Sequence, residues 1–194
     1  MKRSIVPLAA LVLIGGAPAA QAHFVAAHGA GFSAGFAHPF GGVDHLLAML
    51  AVGLWASELG GRARWVVPLS FVAALVAGAS LAVSAVPMPR VELGIAGSVA
   101  LLGLLVGTAW RMPVWTGMVP VALFALFHGH AHGSELPQAA SATAYAAGFV
   151  LATATLLGAG VLLGQLVSRR YGLLPLRAAG AVIASVGVLL LSAA

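Results

Sequence analysis

Long apolar segments, separated by short polar or Pro/Gly-rich connections, fill the chain after residue 43. Segments of this length and hydropathy are predicted to be membrane-spanning helices. The six predicted spans cover about residues 44–58, 65–86, 92–110, 114–130, 139–166 and 175–193. Because the connections are short, consecutive helices are expected to be antiparallel neighbours. The pattern therefore predicts an all-α fold, a polytopic membrane bundle of six transmembrane helices.

The N-terminus has the organisation of a cleaved secretory signal peptide, predicted to cover residues 1–22. Lys2 and Arg3 form a basic start, an apolar stretch follows, and residues 20–22 (Ala-Gln-Ala) match a cleavage site. An uncleaved anchor helix is the alternative. Cleavage would leave one mature domain, residues 23–194.

Residues 23–43 are rich in Gly, Ala, Phe and His and are less apolar than the spans. They are predicted to form a loop or a short re-entrant segment on the outer side of the membrane. Small residues within the spans, such as Gly103 and Gly107 or Gly160 and Gly164, predict close helix packing.

Composition agrees with a membrane protein, since 61% of the 194 residues are hydrophobic and only 7% are charged. The net charge of +5 comes from residues that lie between the apolar segments. These residues are not clustered with aromatics, so no nucleic-acid interface is predicted. With the mature N-terminus outside, the outer connections contain only Arg90. The inner connections then contain six arginines: Arg62, Arg64, Arg111, Arg169, Arg170 and Arg177. This asymmetry predicts a mature N-terminus on the outer side of the membrane.

The seven histidines fall into two groups, and both groups lie on the outer side in this topology. Those before or at the start of the first span are His23, His28, His38 and His45, and those that close the fourth span are His128, His130 and His132. The chain contains no cysteine. A metal site would therefore use imidazole, carboxylate or thioether ligands.

In the first group, "AHPFGGVDH", a Pro/Gly-rich turn is predicted to fold His38 back toward His45. Asp44 is expected at the N-cap of the first span. Its carboxylate could instead bind a metal or orient a histidine ligand. Met49 lies one helical turn below His45 and could offer a thioether, with core packing as the alternative.

In the second group, "FHGHAHGSE", His128 and His132 share a face if the helix continues that far. His130 would point elsewhere unless the adjacent glycines break the helix. Glu135 is a candidate ligand or orienting carboxylate. Three histidines and a glutamate within eight residues of a very apolar chain predict a metal site.

Imidazole ligands without thiolates suit nickel, copper, zinc or cobalt, and a single nearby methionine disfavours copper(I). Metal uptake is expected to weaken below about pH 6, where protons compete for imidazole. No catalytic residue is predicted. Ser33, in "GFSAG", fits the nucleophile-elbow pattern but lacks the preceding strand that such an elbow requires. The spacing of His128 and His132 is that of the zinc-protease motif H-E-x-x-H, but Gly129 stands where that motif has its catalytic glutamate.

Both histidine stretches resemble the HupE/UreJ family of nickel/cobalt permeases. The family motif H-P-x-x-G-x-D-H-x-x-x-M is matched by His38, Pro39, Gly42, Asp44, His45 and Met49. A second motif, F-H-G-x-A-H-G-x-E, is matched by Phe127, His128, Gly129, Ala131, His132, Gly133 and Glu135. The resemblance implies six candidate metal ligands: His38, Asp44, His45, His128, His132 and Glu135. It leaves His23, His28 and His130 as auxiliary capture ligands.

The resemblance also implies a non-enzymatic secondary transporter that takes up Ni²⁺ or Co²⁺ across the bacterial inner membrane, which would place the outward-facing N-terminus in the periplasm. Hydrogenase or urease maturation would use the metal. The expected partners are the transported ion and membrane lipid, with no prosthetic group. Intramembrane zinc-dependent hydrolysis, or metal binding without transport, are the alternatives. The inner half of the path is predicted to use Met49 and the hydroxyls of the fifth span: Thr143, Tyr145, Thr153 and Thr155.

Overall fold

Helices account for nearly all of the computed structural model, which describes residues 31–136 and 141–194. No strand occurs within these two ranges. The helices are α1 (Phe32–Ala37), α2 (Val43–Leu59), α3 (Ala63–Val83), α4 (Val91–Thr108), α5 (Val114–Ser134), α6 (Ala142–Tyr171) and α7 (Leu174–Ala193), and a 3-10 turn (His38–Phe40) joins α1 to α2. The predicted signal peptide, with His23 and His28, lies outside the described residues.

Five helices of the described chain, α3 to α7, are long and apolar enough to cross a membrane. The 17-residue α2 reaches that length only together with the segment before it. That segment, residues 32–40, meets α2 at an 81° bend, as a broken span or a re-entrant loop would. The expected all-α, multi-pass membrane fold is confirmed, with five spans or with six if the bent pair counts as one.

Two helices extend further than the apolar pattern predicted. The helix α5 continues through the histidine-rich motif to Ser134, and α6 continues to Tyr171. Hydrogen bonding along a helix does not stop where hydropathy falls. Arg169 and Arg170 in the last turn of α6 favour its continuation, because cations stabilise a helix C-terminus. The helix ends at Gly172, whose φ of 75° favours glycine.

The expectation that every pair of consecutive helices packs together is wrong for α3–α4 and for α5–α6. The most extensive pairings are instead α3 with α5, α4 with α7, and α2 with α6. Each of these pairs meets at glycines. Between α3 and α5, a Cβ at Gly78 would overlap the backbone of Leu126, and one at Gly129 would overlap that of Leu75. Close backbone approach, rather than connection length, therefore determines which helices pair.

The predicted small-residue positions are confirmed as sites of close approach. On α4, Gly103 lies against the α7 backbone at Ala184. On α6, Gly160 lies against the α2 backbone at Leu50 and Gly53. The short helix α1 uses the same device, because a Cβ at Gly148 of α6 would overlap the α1 backbone.

The two ends of the bundle differ in chemistry. Both α2 and α6 begin at the end that holds the histidine side chains, and they finish at the opposite end beside arginines. At that opposite end, Trp55 Nε1 donates a hydrogen bond to the carbonyl of Trp110 at 3.0 Å. Arg177 Nε donates to the carbonyl of Gly107 at 3.1 Å. Separation of histidines from arginines is what the predicted membrane orientation requires.

Candidate metal centre

Four histidine side chains from two distant parts of the sequence meet at one end of the bundle. The ring centroid of His45 lies 4.8 Å from that of His128 and 4.3 Å from that of His132. The ring of His38 lies 4.6 Å from that of His132. We call these four residues the histidine cluster. The two motifs predicted to act together are therefore in contact.

The second motif contributes two side chains to the histidine cluster because α5 remains helical through it. Since α5 ends only at Ser134, His128 and His132 project from one face one turn apart. The glycines of the motif do not break the helix. A Cβ at Gly129 or Gly133 would overlap the backbone of α3, so these glycines permit helix contact.

His130 points away from the cluster. Its Nε2 lies 2.9 Å from the carbonyl oxygen of Val86, in the connection after α3. The alternative in which broken helix geometry would swing His130 inward is therefore wrong. A continuous helix places position 130 far around the axis from positions 128 and 132.

The first motif places His38 through the bend between α1 and α2. Gly35 of α1 lies directly against the backbone of Tyr145 on α6, and Pro39 is buried within the turn. Because α1 is held against α6, the 81° bend between residues 32–40 and α2 leaves His38 beside the first turn of α2. Its ring also lies 6.0 Å from that of Phe149. The turn was predicted to bring His38 toward His45, and the structure brings both rings against the same residue, His132.

Asp44 does not cap α2, contrary to the expectation. The helix begins at Val43, its N-cap is Gly42, and no side chain caps it. Asp44 Oδ1 instead lies 2.7 Å from His45 Nδ1 and accepts a hydrogen bond from the His45 backbone N–H at 2.8 Å. A carboxylate can only accept, so Nδ1 carries the proton and Nε2 keeps its lone pair. That Nε2 is buried and has no hydrogen-bond partner among the described residues.

Ser98 of α4 contacts the buried ring of His128, and nothing in the sequence indicates this contact beyond a serine in an apolar helix. Its hydroxyl donates to the carbonyl of Ile95 at 2.6 Å and lies 2.9 Å from His128 Nε2. A hydroxyl has one hydrogen, so it must accept from Nε2–H. His128 Nδ1 is then the unprotonated atom, and within the described part of the chain it has no partner.

His132 is nearly buried, and neither ring nitrogen has a hydrogen-bond partner in residues 31–136 and 141–194. Its ring packs 4.3 Å from that of Phe149. A buried polar atom without a partner is costly, so such a ring is suited to a ligand that satisfies it. One ligand atom from each of His38, His132 and Glu135 lies within 4.8 Å of the others.

Glu135 follows α5 and forms the exposed edge of this group. Its Oε2 lies 3.7 Å from His38 Nε2. Partial burial raises the pKa of the Glu135 carboxyl, nearby His45 opposes this, and the carboxylates of Glu92 and Asp44 raise the pKa further. Three of the four acidic residues of the chain therefore lie at the histidine end. Glu92, in the first turn of α4, was not predicted from the sequence.

Met49 is completely buried in the apolar core, one turn below His45. Of the predicted hydroxyls, Thr143 is exposed and Thr155 Oγ1 donates to the carbonyl of Leu151 at its own helix surface. Thr153 is fully buried, and its Oγ1 has no partner among the residues that the structure describes.

The donor set of the cluster is imidazole nitrogen with carboxylate oxygen. The contacts with Asp44 and Ser98 each occupy one ring nitrogen and leave the other nitrogen of His45 and of His128 free, and metal binds imidazole through such a nitrogen. Such a set suits borderline divalent ions of the first transition row.

Comparison with known proteins identifies the family of this chain. The family model described as HupE / UreJ protein matches residues 10–190. Protein HupE of Rhizobium leguminosarum bv. viciae is 46% identical over 172 residues, which cover 89% of this chain and 90% of that protein. No solved structure gives a significant match. Since both matches extend over nearly the whole chain, this multi-pass membrane protein belongs to the HupE/UreJ family.

Proposed function

We propose that this protein is a secondary permease that takes up Ni²⁺ or Co²⁺ across the bacterial inner membrane. The observation that carries the proposal is the convergence of four imidazoles and nearby carboxylates at one end of a membrane bundle. Ionisable groups in an apolar membrane protein are expensive and are generally functional. The histidine end faces the periplasm in this proposal, as does the mature N-terminus that follows cleavage after residue 22.

The outer position for the ion is formed by His38, His132 and Glu135. Their ligand atoms lie within 4.8 Å of one another. Bonds of about 2.1 Å to one ion would bring such atoms to about 3–3.5 Å apart, so small side-chain movements complete the site. A mixed nitrogen and oxygen set of this kind holds a divalent ion without trapping it.

The inner position is formed by His45 Nε2 and His128 Nδ1. Both atoms are buried, and both are unpartnered within the described chain. Asp44 and Ser98 hold these rings in the ligand tautomer, so we assign Asp44 to orientation rather than to direct coordination.

The outer position is exposed at Glu135 (52%) and His38 (22%), whereas His132 (5%), His45 (12%) and His128 (0%) are largely enclosed. An entering ion therefore exchanges water and carboxylate for imidazole as it moves inward. Met49, one turn below His45, offers a buried thioether, and the buried Thr153 offers a hydroxyl that has no partner among the described residues.

His23 and His28 precede the described residues and are proposed as auxiliary capture ligands. His130 is not assigned to the route, because it binds the backbone of Val86. A membrane potential of 100 mV would supply about 4.6 kcal/mol for inward movement of a divalent ion. Hydrogenase or urease maturation is the proposed consumer of the metal.

Accumulation of radioactive nickel and cobalt in cells tests the proposal. Cells would express the wild type, His45→Ala, His132→Ala or the control His130→Ala at matched membrane levels. Accumulation should be lost in the first two variants and retained in the control. Equal accumulation in all four strains would refute the permease.

The alternatives give different results in the same preparations. A zinc hydrolase would retain stoichiometric zinc through purification, measured by elemental analysis. A binding subunit would bind nickel in detergent without supporting accumulation in cells.

A further inference from the structure

A crevice of about 420 Å³ separates α3 from α6 toward the arginine-rich end of the bundle. It exists because α3 packs mainly on α5 while α6 packs mainly on α2, so α3 and α6 touch only lightly. Trp65 and Leu69 of α3 and Leu162 of α6 are largely exposed beside it. Exposed apolar side chains on membrane spans face lipid, so the crevice opens to the bilayer.

The lining of the crevice is amphipathic along its length. Leu69, Leu157 and Gly158 line the apolar part, whereas Arg64 and Gln165 lie at one end. A Cβ at Gly158 would meet no described atom within 4 Å, so the groove is open at that position. The polar end coincides with Trp65, and tryptophan favours the interface between hydrocarbon and headgroups.

Arg64 lacks an anionic partner inside the protein. All four acidic residues of the chain lie within the described ranges. Among the described residues, only Asp44 and Glu135 have a carboxylate within 4 Å of a basic side chain, and in both cases that side chain is a histidine. Arg64 Nε is buried and has no hydrogen-bond partner in the part of the chain that the structure describes. A buried guanidinium nitrogen without a partner is costly unless a ligand satisfies it.

We propose that the crevice between α3 and α6 binds an anionic phospholipid, with an acyl chain along the apolar groove and its phosphate at Arg64. Arginine binds phosphate through charge-assisted hydrogen bonds. A basic residue in a cleft between spans, near the headgroup level, is suited to an anionic headgroup. A lipid in this crevice would contact both the α3–α5 pair and the α2–α6 pair. These two helix pairs contain His45, His128 and His132 of the histidine cluster.

The test is native mass spectrometry of the full chain in detergent, titrated with phosphatidylglycerol or with phosphatidylcholine of the same acyl chains. The wild type should bind phosphatidylglycerol in preference to phosphatidylcholine. Arg64→Gln should reduce that preference about fivefold, as expected for one basic residue at the headgroup level. Arg90→Gln, which removes an equal charge at the opposite end, should leave the preference unchanged.

A second pair of variants tests the acyl groove independently of charge. Gly158→Leu should fill the groove and weaken the binding of both lipids, because the position is open and lines the crevice. Gly97→Leu is the matched control, since a Cβ at Gly97 also meets no described atom within 4 Å and Gly97 does not line the crevice.

Three results would overturn the proposal. The first is an unchanged lipid preference in Arg64→Gln, and the second is displacement of phosphatidylglycerol by inorganic phosphate alone. The third is a dimer that Gly158→Leu dissociates without changing the number of bound lipids, which would make a second copy of the chain the occupant. Arg64→Gln leaves the groove intact, so it decides the question even if Gly158→Leu does not fold.

Discussion

Replacement of Ser98 by alanine should weaken nickel binding without disrupting the fold. The substitution removes the acceptor of the His128 Nε2–H, which lies 2.9 Å from the hydroxyl in a fully buried contact between α4 and α5. Hydrogen bonds between membrane helices contribute on average about 0.6 kcal/mol and at most about 1.7 kcal/mol. The free energy of unfolding should therefore fall by no more than that.

The effect on the metal should be larger than the effect on stability. The Ser98 hydroxyl keeps the proton of His128 on Nε2 and leaves Nδ1 free to bind, so its loss releases both the tautomer and the ring orientation. Loss of such an orienting partner typically weakens metal affinity about 10- to 100-fold, which is about 1.4–2.8 kcal/mol.

Ser70→Ala is the matched control. The Ser70 hydroxyl donates to the carbonyl of Val67 at 2.7 Å, as that of Ser98 donates to Ile95, but its contacts include no imidazole. Isothermal titration of the purified proteins with Ni²⁺ would measure the affinities, and chemical unfolding would measure stability. A Ser98→Ala protein that binds nickel as tightly as Ser70→Ala would refute the assignment of His128 Nδ1 as a ligand.

Three further predictions follow from the site and the packing. Asp44→Asn keeps an oxygen that can accept from His45 Nδ1, so it should retain nickel affinity about 10-fold better than Asp44→Ala in the same titration; equal losses would indicate direct coordination by the carboxylate. Gly129→Ala should lower the thermal stability of the bundle because its Cβ would overlap the α3 backbone, while Gly97→Ala should not; equal unfolding temperatures would contradict the packing. Nickel binding should weaken as the pH is lowered toward 5, because the raised pKa of Glu135 allows this carboxyl to protonate, and so to stop binding metal, at a higher pH than an exposed glutamate; an affinity that is unchanged over this range would exclude Glu135 as a ligand.

The sequence predicted the helices well and their partners poorly. Hydropathy is a local property, so the spans could be placed to within a few residues, including the helix that contains Gly103 and Gly107. Which helix each one faces depends on where two backbones can approach. Loop length predicted α3 beside α4, but the glycines at positions 78 and 129 bring α3 against α5.

The histidine motifs were sufficient to predict that His38, His45, His128 and His132 lie at the same end of the bundle, because so few polar residues occur in an apolar chain. The direction of each side chain was not predictable. Local propensity left open whether Gly129 and Gly133 break α5, because glycine disfavours a helix interior.

The sequence by itself determined the class of the protein, the positions of its spans and the residue types of its candidate site, since these follow from hydropathy and residue type. Only the tertiary structure decided that Asp44 contacts His45 Nδ1, that Ser98 contacts His128 Nε2, and that His130 points away from the cluster. The physical reason is that each of these roles depends on distances of a few ångströms. The distances that join different elements are set by close backbone packing of segments that lie far apart in the chain.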